Sequence, residues 1–193
     1  MTIASLAVTP DQALISRAQA GDAAALENVY RAFEGPVYSL ARRLCRTAED
    51  AEDVLQETFM EVLRSIHRYR GDGPLAAWVK KVAASKALMK LRKHRREQFD
   101  QALDDAPGGP VPDECSLGGR PTRSALARLD LESAMSRLSD TSRAVVWLHD
   151  VEGYTHEEIA SMMDRTVSFS KSQLARAHSR LRGLLGEGGG SAR

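Results

Sequence analysis

The sequence predicts an all-α protein built as two helical domains joined by a flexible linker, and three observations carry that prediction. Apolar residues recur at helical spacing through most of the 193-residue chain. Ala, Leu, Arg and Glu dominate, aromatics are only 5% and β-branched runs are nearly absent, which favours helix over strand. From Asp100 to Thr122 the character changes: Pro107, Pro110, Pro112 and Pro121 mix with Gly108, Gly109, Gly118, Gly119 and the acids Asp104, Asp105, Asp113 and Glu114. Such a stretch reads as an acidic linker, not a packed segment. The expected division is therefore residues 10–99, a linker at 100–123, residues 124–185, and a disordered tail at 186–193.

Residues 1–9 have no periodicity and are expected to fray. Thr9, with Pro10 in the first turn, starts a helix from about Asp11 to Ala20 that packs through Leu14, Ile15 and Ala18. Gly21-Asp22 breaks it, and Asp22 can cap the next helix, whose Leu26, Val29, Tyr30 and Phe33 repeat at helical spacing. Gly35-Pro36 is expected to punctuate again, leaving a separate segment from Val37 to Arg46. Thr47 caps a helix with the apolar stripe Leu55, Phe59, Val62, Leu63, Ile66 and Tyr69, and with Asp50, Asp53, Glu57 and Glu61 on the other side. After an RGDGP turn comes a second long helix, about Leu75 to Phe99. Leu75, Trp78, Val79, Val82, Ala83, Leu88 and Leu91 face the core, and the lysines and arginines project outward.

In the second domain Leu126, Leu129, Leu131, Met135 and Leu138 belong to a first helix. Asp140 or Ser139 caps a second, with Val145, Val146, Leu148 and Val151, and Gly153 ends it. Thr155 and Glu158 form a capping-box pattern opening a short helix to about Met163. Asp164-Arg165 supplies a turn, Thr166 the next cap, and a final helix runs to Leu185.

The formal net charge of +1, with 42% apolar and 27% charged residues, means that any nucleic-acid role rests on local patches. Those patches are sharply divided. Residues 48–61 carry Glu49, Asp50, Glu52, Asp53, Glu57 and Glu61, and no carboxylate falls between Lys80 and Arg96, where Lys81, Lys86, Lys90, Arg92, Lys93 and Arg95 gather. The first half suits a basic protein surface or a metal, the second suits phosphate. Cys45 and Cys115 lack a CxxC or His partner, so neither a disulfide framework nor a zinc site is expected. No apolar run approaches the roughly 18 residues of a membrane span, and the N-terminus lacks the basic start of a signal peptide. A cytoplasmic protein without membrane contact is expected.

The segment from Tyr154 to Leu181 has the layout of a helix-turn-helix, with Ile159, Ala160, Val167 and Leu174 placed for its small core. Its last helix holds Lys171, Arg176, His178, Arg180 and Arg182 and no acid before Glu187, which suits a major groove. A plain helical hairpin with a solvated basic face is the alternative. The acidic cluster also allows a carboxylate enzyme, but no nucleophile or Gly-rich phosphate loop accompanies it, and the five histidines are scattered. No catalytic residue, metal ligand or cofactor is therefore assigned.

Asp50-Ala51-Glu52-Asp53 followed by Gln56-Glu57-Thr58-Phe59 resembles the DAED-x-x-QETF signature of region 2 in extracytoplasmic-function (ECF) sigma factors. Trp78-Val79 and Leu91-Arg92-Lys93 are similar to that family's TWL-type helix and basic segment. Leu138 to Arg143, Asp150 to Tyr154 and Glu157 to Ala160 resemble its region 4. The likeness covers about Asp11 to Leu185, in the family's order. It implies a region 2-like bundle and a region 4-like helix-turn-helix domain in a bacterial initiation factor without catalytic activity. The implied partners are core RNA polymerase, through its β′ clamp helices and β flap, promoter DNA and, as for many relatives, an anti-sigma factor.

On that resemblance Asp50, Glu52, Asp53, Gln56 and Glu57 would bind polymerase. Arg70, Asp72, Lys80, Lys81, Lys86, Lys90, Arg92 and Lys93 would bind the −10 element, and Thr166, Lys171, Ser172, Gln173 and Arg176 the −35 element. Departures from the family pattern at Ser85, Met89, His149 and Ser168-Phe169-Ser170 bear on the promoter sequence read, not on the fold. The rival reading is a helix-turn-helix regulator that acts without polymerase.

Overall fold

The computed structural model describes residues 10–101 and 123–188, and the chain divides after Lys93 into two compact units. Every regular element among the described residues is helical. The expected frayed start, residues 102–122 of the expected linker with Cys115, and residues 189–193 of the tail lie outside them.

The first unit opens with α1, Gln12–Gln19, where the Leu14 N–H donates to Asp11 Oδ1 at 2.6 Å, so Asp11 is the cap. Gly21, at φ +86°, turns the chain into α2, Ala23–Leu44, and the Ala24 and Ala25 amides donate to Asp22 Oδ1. The expected break at Gly35-Pro36 does not occur. Pro36 lies inside α2 on its exposed side, while Val29, Phe33, Val37, Leu40, Ala41 and Leu44 are buried in one unbroken stripe. Burying that stripe outweighs the hydrogen bond that Pro36 cannot donate.

Thr47 caps α3, Ala48–Ser65, accepting from the Asp50 amide at 3.0 Å. Its inner face is Ala51, Val54, Thr58, Phe59 and Val62. Thr58 satisfies its buried hydroxyl by donating to the Val54 carbonyl at 2.6 Å. Leu63, expected inside, is 46% exposed. A 3-10 turn, Ile66–Arg68, leads to the RGDGP turn and then to α4, Leu75–Gln101. Leu75, Val79, Ala83, Ala84, Ala87 and Leu88 are buried, whereas Trp78, Val82 and Leu91 are only half-buried.

In the second unit α5 is Arg123–Ser136, and Leu131 points out while Leu138, just beyond the helix, is buried. Ser139, not Asp140, caps α6, Asp140–Val146. A π-helical turn, Trp147–Val151, follows, and Val151 is exposed rather than in the core. Gly153, at φ +78°, ends it. The capping box of α7, His156–Met163, forms as expected, and Asp164 takes the left-handed conformation that joins it to α8, Val167–Gly188. α8 packs on α5, α6 and α7. Its final turn extends past the expected end at Leu185.

Candidate nucleic-acid interface

On the first unit the acidic residues divide between two directions. Glu52, Gln56 and Glu57 are exposed on α3. Asp50 is only 7% exposed; its Oδ2 accepts from Thr47 Oγ1 at 2.8 Å, and its Oδ1 lies 3.5 Å from Lys90 Nζ. Asp53 Oδ2 is 2.5 Å from the same ammonium, and Glu61 is 3.8 Å from Lys86 Nζ. The hydrogen bond to Asp53, with the Asp50 charge behind it, raises the Lys90 pKa above its ordinary value despite burial. Lys86 and Lys90 therefore do not project into solvent as expected. They tie α4 to the acidic helix. Lys81 and Lys93 are exposed and Lys80 and Arg92 half-exposed.

Periodicity placed Leu63 inside and did not single out Met60, yet both are exposed, Met60 at 61%. Helical spacing puts them beyond Glu52 and Gln56 on one face of α3. The turn between α3 and α4 is built with more support than its glycines suggest. Gln19, at the end of α1, donates from Nε2 to the carbonyls of Tyr69 at 2.7 Å and Ile66 at 3.2 Å. The Tyr69 hydroxyl donates to the Gly73 carbonyl, and its ring lies 5.8 Å from that of Trp78. Gly71 takes φ +80°, which a side chain would strain. Arg70 and Asp72 are exposed at the tip.

On the second unit Ser170, Leu174, Ala177 and Leu181 form the buried side of α8, and Lys171, Ser172, Arg176, Ser179, Arg180 and Arg182 the exposed one. Gln173 falls at the edge between them; its Oε1 accepts from Ser142 Oγ of α6 at 3.2 Å. Thr166 accepts from the Phe169 amide at 3.1 Å, so its hydroxyl caps the helix. Phe169 is half-buried, with the Arg165 guanidinium 5.8 Å from its ring centre.

The histidines are not all scattered. Asp150 pairs with His149 Nδ1 at 2.8 Å and His178 Nε2 at 2.6 Å; His149 stacks on His156 at 4.5 Å, and His156 Nδ1 lies 3.0 Å from the buried Ser170 hydroxyl. Burial pushes the Asp150 carboxyl up, but the bonds from His149 and His178 more than offset this and hold it below its ordinary range. Burial, then the neighbouring His149 and Lys171, holds His156 below its ordinary value. Among the described residues no cluster of three or more His, Cys, Asp or Glu could hold a metal ion.

The two units correspond to two family matches: residues 29–97 to Sigma-70 region 2 and residues 128–181 to Sigma-70 region 4. The ECF RNA polymerase sigma factor SigM of Mycobacterium tuberculosis is 29% identical over 176 residues, covering 91% of this chain and 85% of that protein. The chain belongs to the ECF sigma factor family.

The RNA polymerase sigma-H factor of Pseudomonas aeruginosa is 28% identical, over 86% of this chain and 89% of its own. The fold is shared with the sigma factor RpoE of Bartonella quintana, solved with the anti-sigma factor NepR. The TM-score is 0.53 at 22% identity, over 82% of this chain and 95% of that one. CnrH, solved with the cytosolic domain of CnrY, gives 0.52 at 22%, over 92% and 97%. As an alternative sigma factor the chain is a transcription initiation factor that binds core RNA polymerase and promoter DNA. No described helix is long and apolar enough to cross a membrane.

Proposed function

We propose that the first unit holds both the polymerase contact and the −10 reader, that the second reads the −35 element, and that no catalysis accompanies either. The observation that carries this division is the sorting of charge by exposure. On α3 the outward groups are Glu52, Gln56 and Glu57, and on α8 they are Lys171, Ser172 and Arg176. Asp50 and Asp53 stand behind the polymerase contact as supports, with Lys86 and Lys90. Arg70, Asp72, Lys80, Lys81, Arg92 and Lys93 serve the melted −10 strand, and Thr166 and Gln173 set the edge of the −35 reader. The functional limits are residues 10–99 and 124–185, with 100–123 as the connection. The protein works in the cytoplasm, and an anti-sigma factor restrains it, a reading supported by the complex of RpoE with NepR.

The test is competition for core polymerase by the Glu52→Lys, Glu57→Lys double variant, which leaves the Lys90 pairs intact. Core binding should weaken by tenfold or more, about 1.4 kcal/mol, at unchanged helix content. A variant that still competes at wild-type concentration removes α3 from the polymerase contact. Binding of duplex promoter DNA with full specificity in the absence of core would favour the stand-alone regulator instead.

A further inference from the structure

We infer that Gln19 is a positioning residue for −10 recognition: from α1 it fixes the backbone on which the Arg70–Pro74 turn is presented. The inference rests on the reading of that turn given above. The Tyr69 carbonyl lies just past the 3-10 turn, where helical donors run out, and the Ile66 carbonyl, which already accepts from the Tyr69 amide at 3.1 Å, takes Gln19 as a further donor. The two hydrogens of the Gln19 amide reach one carbonyl each, at 3.2 and 2.7 Å, across a sequence separation of 47 and 50 residues. Tyr69 is then held at both ends, by its carbonyl to Gln19 and by its hydroxyl to the Gly73 carbonyl. Its ring against Trp78 closes the base of the turn onto α4.

The turn itself has little else to fix it. Gly71, Asp72, Gly73 and Pro74 are all exposed, and a Cβ added at Gly71 or Gly73 would meet nothing within 4 Å. A turn that holds an unstacked base must keep its donors and acceptors within a fraction of an ångström of the base edge. Here that precision comes from outside the turn, through an amide on a different helix.

The experiment measures open-complex formation by full-length protein with core polymerase on promoters bearing each single-base change in the −10 element. Gln19→Leu and Gln19→Glu remove the donor, and Gln19→Lys keeps one that can reach both carbonyls. Leu and Glu should flatten the preference at one −10 position by about five- to tenfold. Lys should retain it, and core binding and −35 preference should not move in any variant. A mere helix-end cap predicts something else: equal loss on every −10 sequence, tracking the fall in melting temperature. That result overturns the inference, as does wild-type discrimination by Gln19→Leu. Should the Leu variant fail to fold, the Glu and Lys variants decide alone, because they differ in the donor. An Arg70→Ala, Asp72→Ala variant run alongside separates the two readings. Unchanged −10 preference there removes the turn from recognition and this inference with it. A changed preference there, with Gln19→Leu and Gln19→Glu at wild type, removes only the role of Gln19.

Discussion

His156 stands where three helical segments of the second unit meet. It stacks on His149 of the π-helical turn, begins α7 and lies within hydrogen-bond distance of Ser170 on the buried side of α8. The charged and titratable groups around it are His149, Asp150, Glu157 and Lys171. Because burial and then the neighbouring His149 and Lys171 lower its pKa, the unfolded chain takes up a proton before the folded one does. The contribution of neutral His156 is therefore present above the ordinary histidine value of 6.5 and lost as pH falls below it. Asp150, also lowered, adds a loss of the same sign only in the carboxylate range. Melting of the second unit, read through Trp147 in a Trp78→Phe background, should fall between about pH 7.5 and 5.5. His156→Gln, which can still bond Ser170, should flatten that fall. An unaltered pH profile in the variant would place the titration elsewhere. In the sequence the pairs that meet across elements, His149 with His156, His156 with Ser170 and Asp150 with His178, are 7, 14 and 28 positions apart, and helical spacing along one element says nothing about them.

Between elements, the α3–α4 pairing shows how a charge pattern is legible while its geometry is not. The acidic and basic stretches were plain, and so were the caps Asp22 and Thr47, because each is set by residues within one turn. That the two stretches neutralise one another at Lys90 required the tertiary fold, since Asp53 and Lys90 are 37 residues apart. Gly35-Pro36 misleads for the opposite reason: a strong local signal yields to the buried stripe on either side of it. Lys90→Met should destabilise by about 1 kcal/mol, discounted because the Asp53 side chain is 49% exposed. Asp53→Asn should cost less, since Asp50 still holds the ammonium. In a denaturant-unfolding cycle the double variant should cost less than the sum of the two. Simple additivity would mean that the Asp53–Lys90 pair contributes nothing to stability.

Each unit has its own core, one around Val29, Phe33, Leu44 and Leu88, the other around Leu138, Leu148 and Ile159. The two-domain helical plan was readable because periodicity and composition both report it. The surfaces were readable where they follow one helix, as Lys171, Ser172 and Arg176 do, and not where a residue reaches sideways, as Gln19 and Gln173 do. Two readers on two separately packed units should fail separately. Arg176→Ala should cost roughly 1–3 kcal/mol, concentrated at one −35 position if the guanidinium reads a base. If it holds phosphate, the loss should instead be uniform across sequences, with a shallower salt dependence. Asp72→Ala should alter −10 preference and leave −35 preference alone. Combined in one chain and measured as open-complex formation on a promoter library, the two losses should add to within about 0.5 kcal/mol. A larger joint loss would show that occupancy of one promoter element governs engagement of the other, through a coupling carried by polymerase or DNA and not by either core.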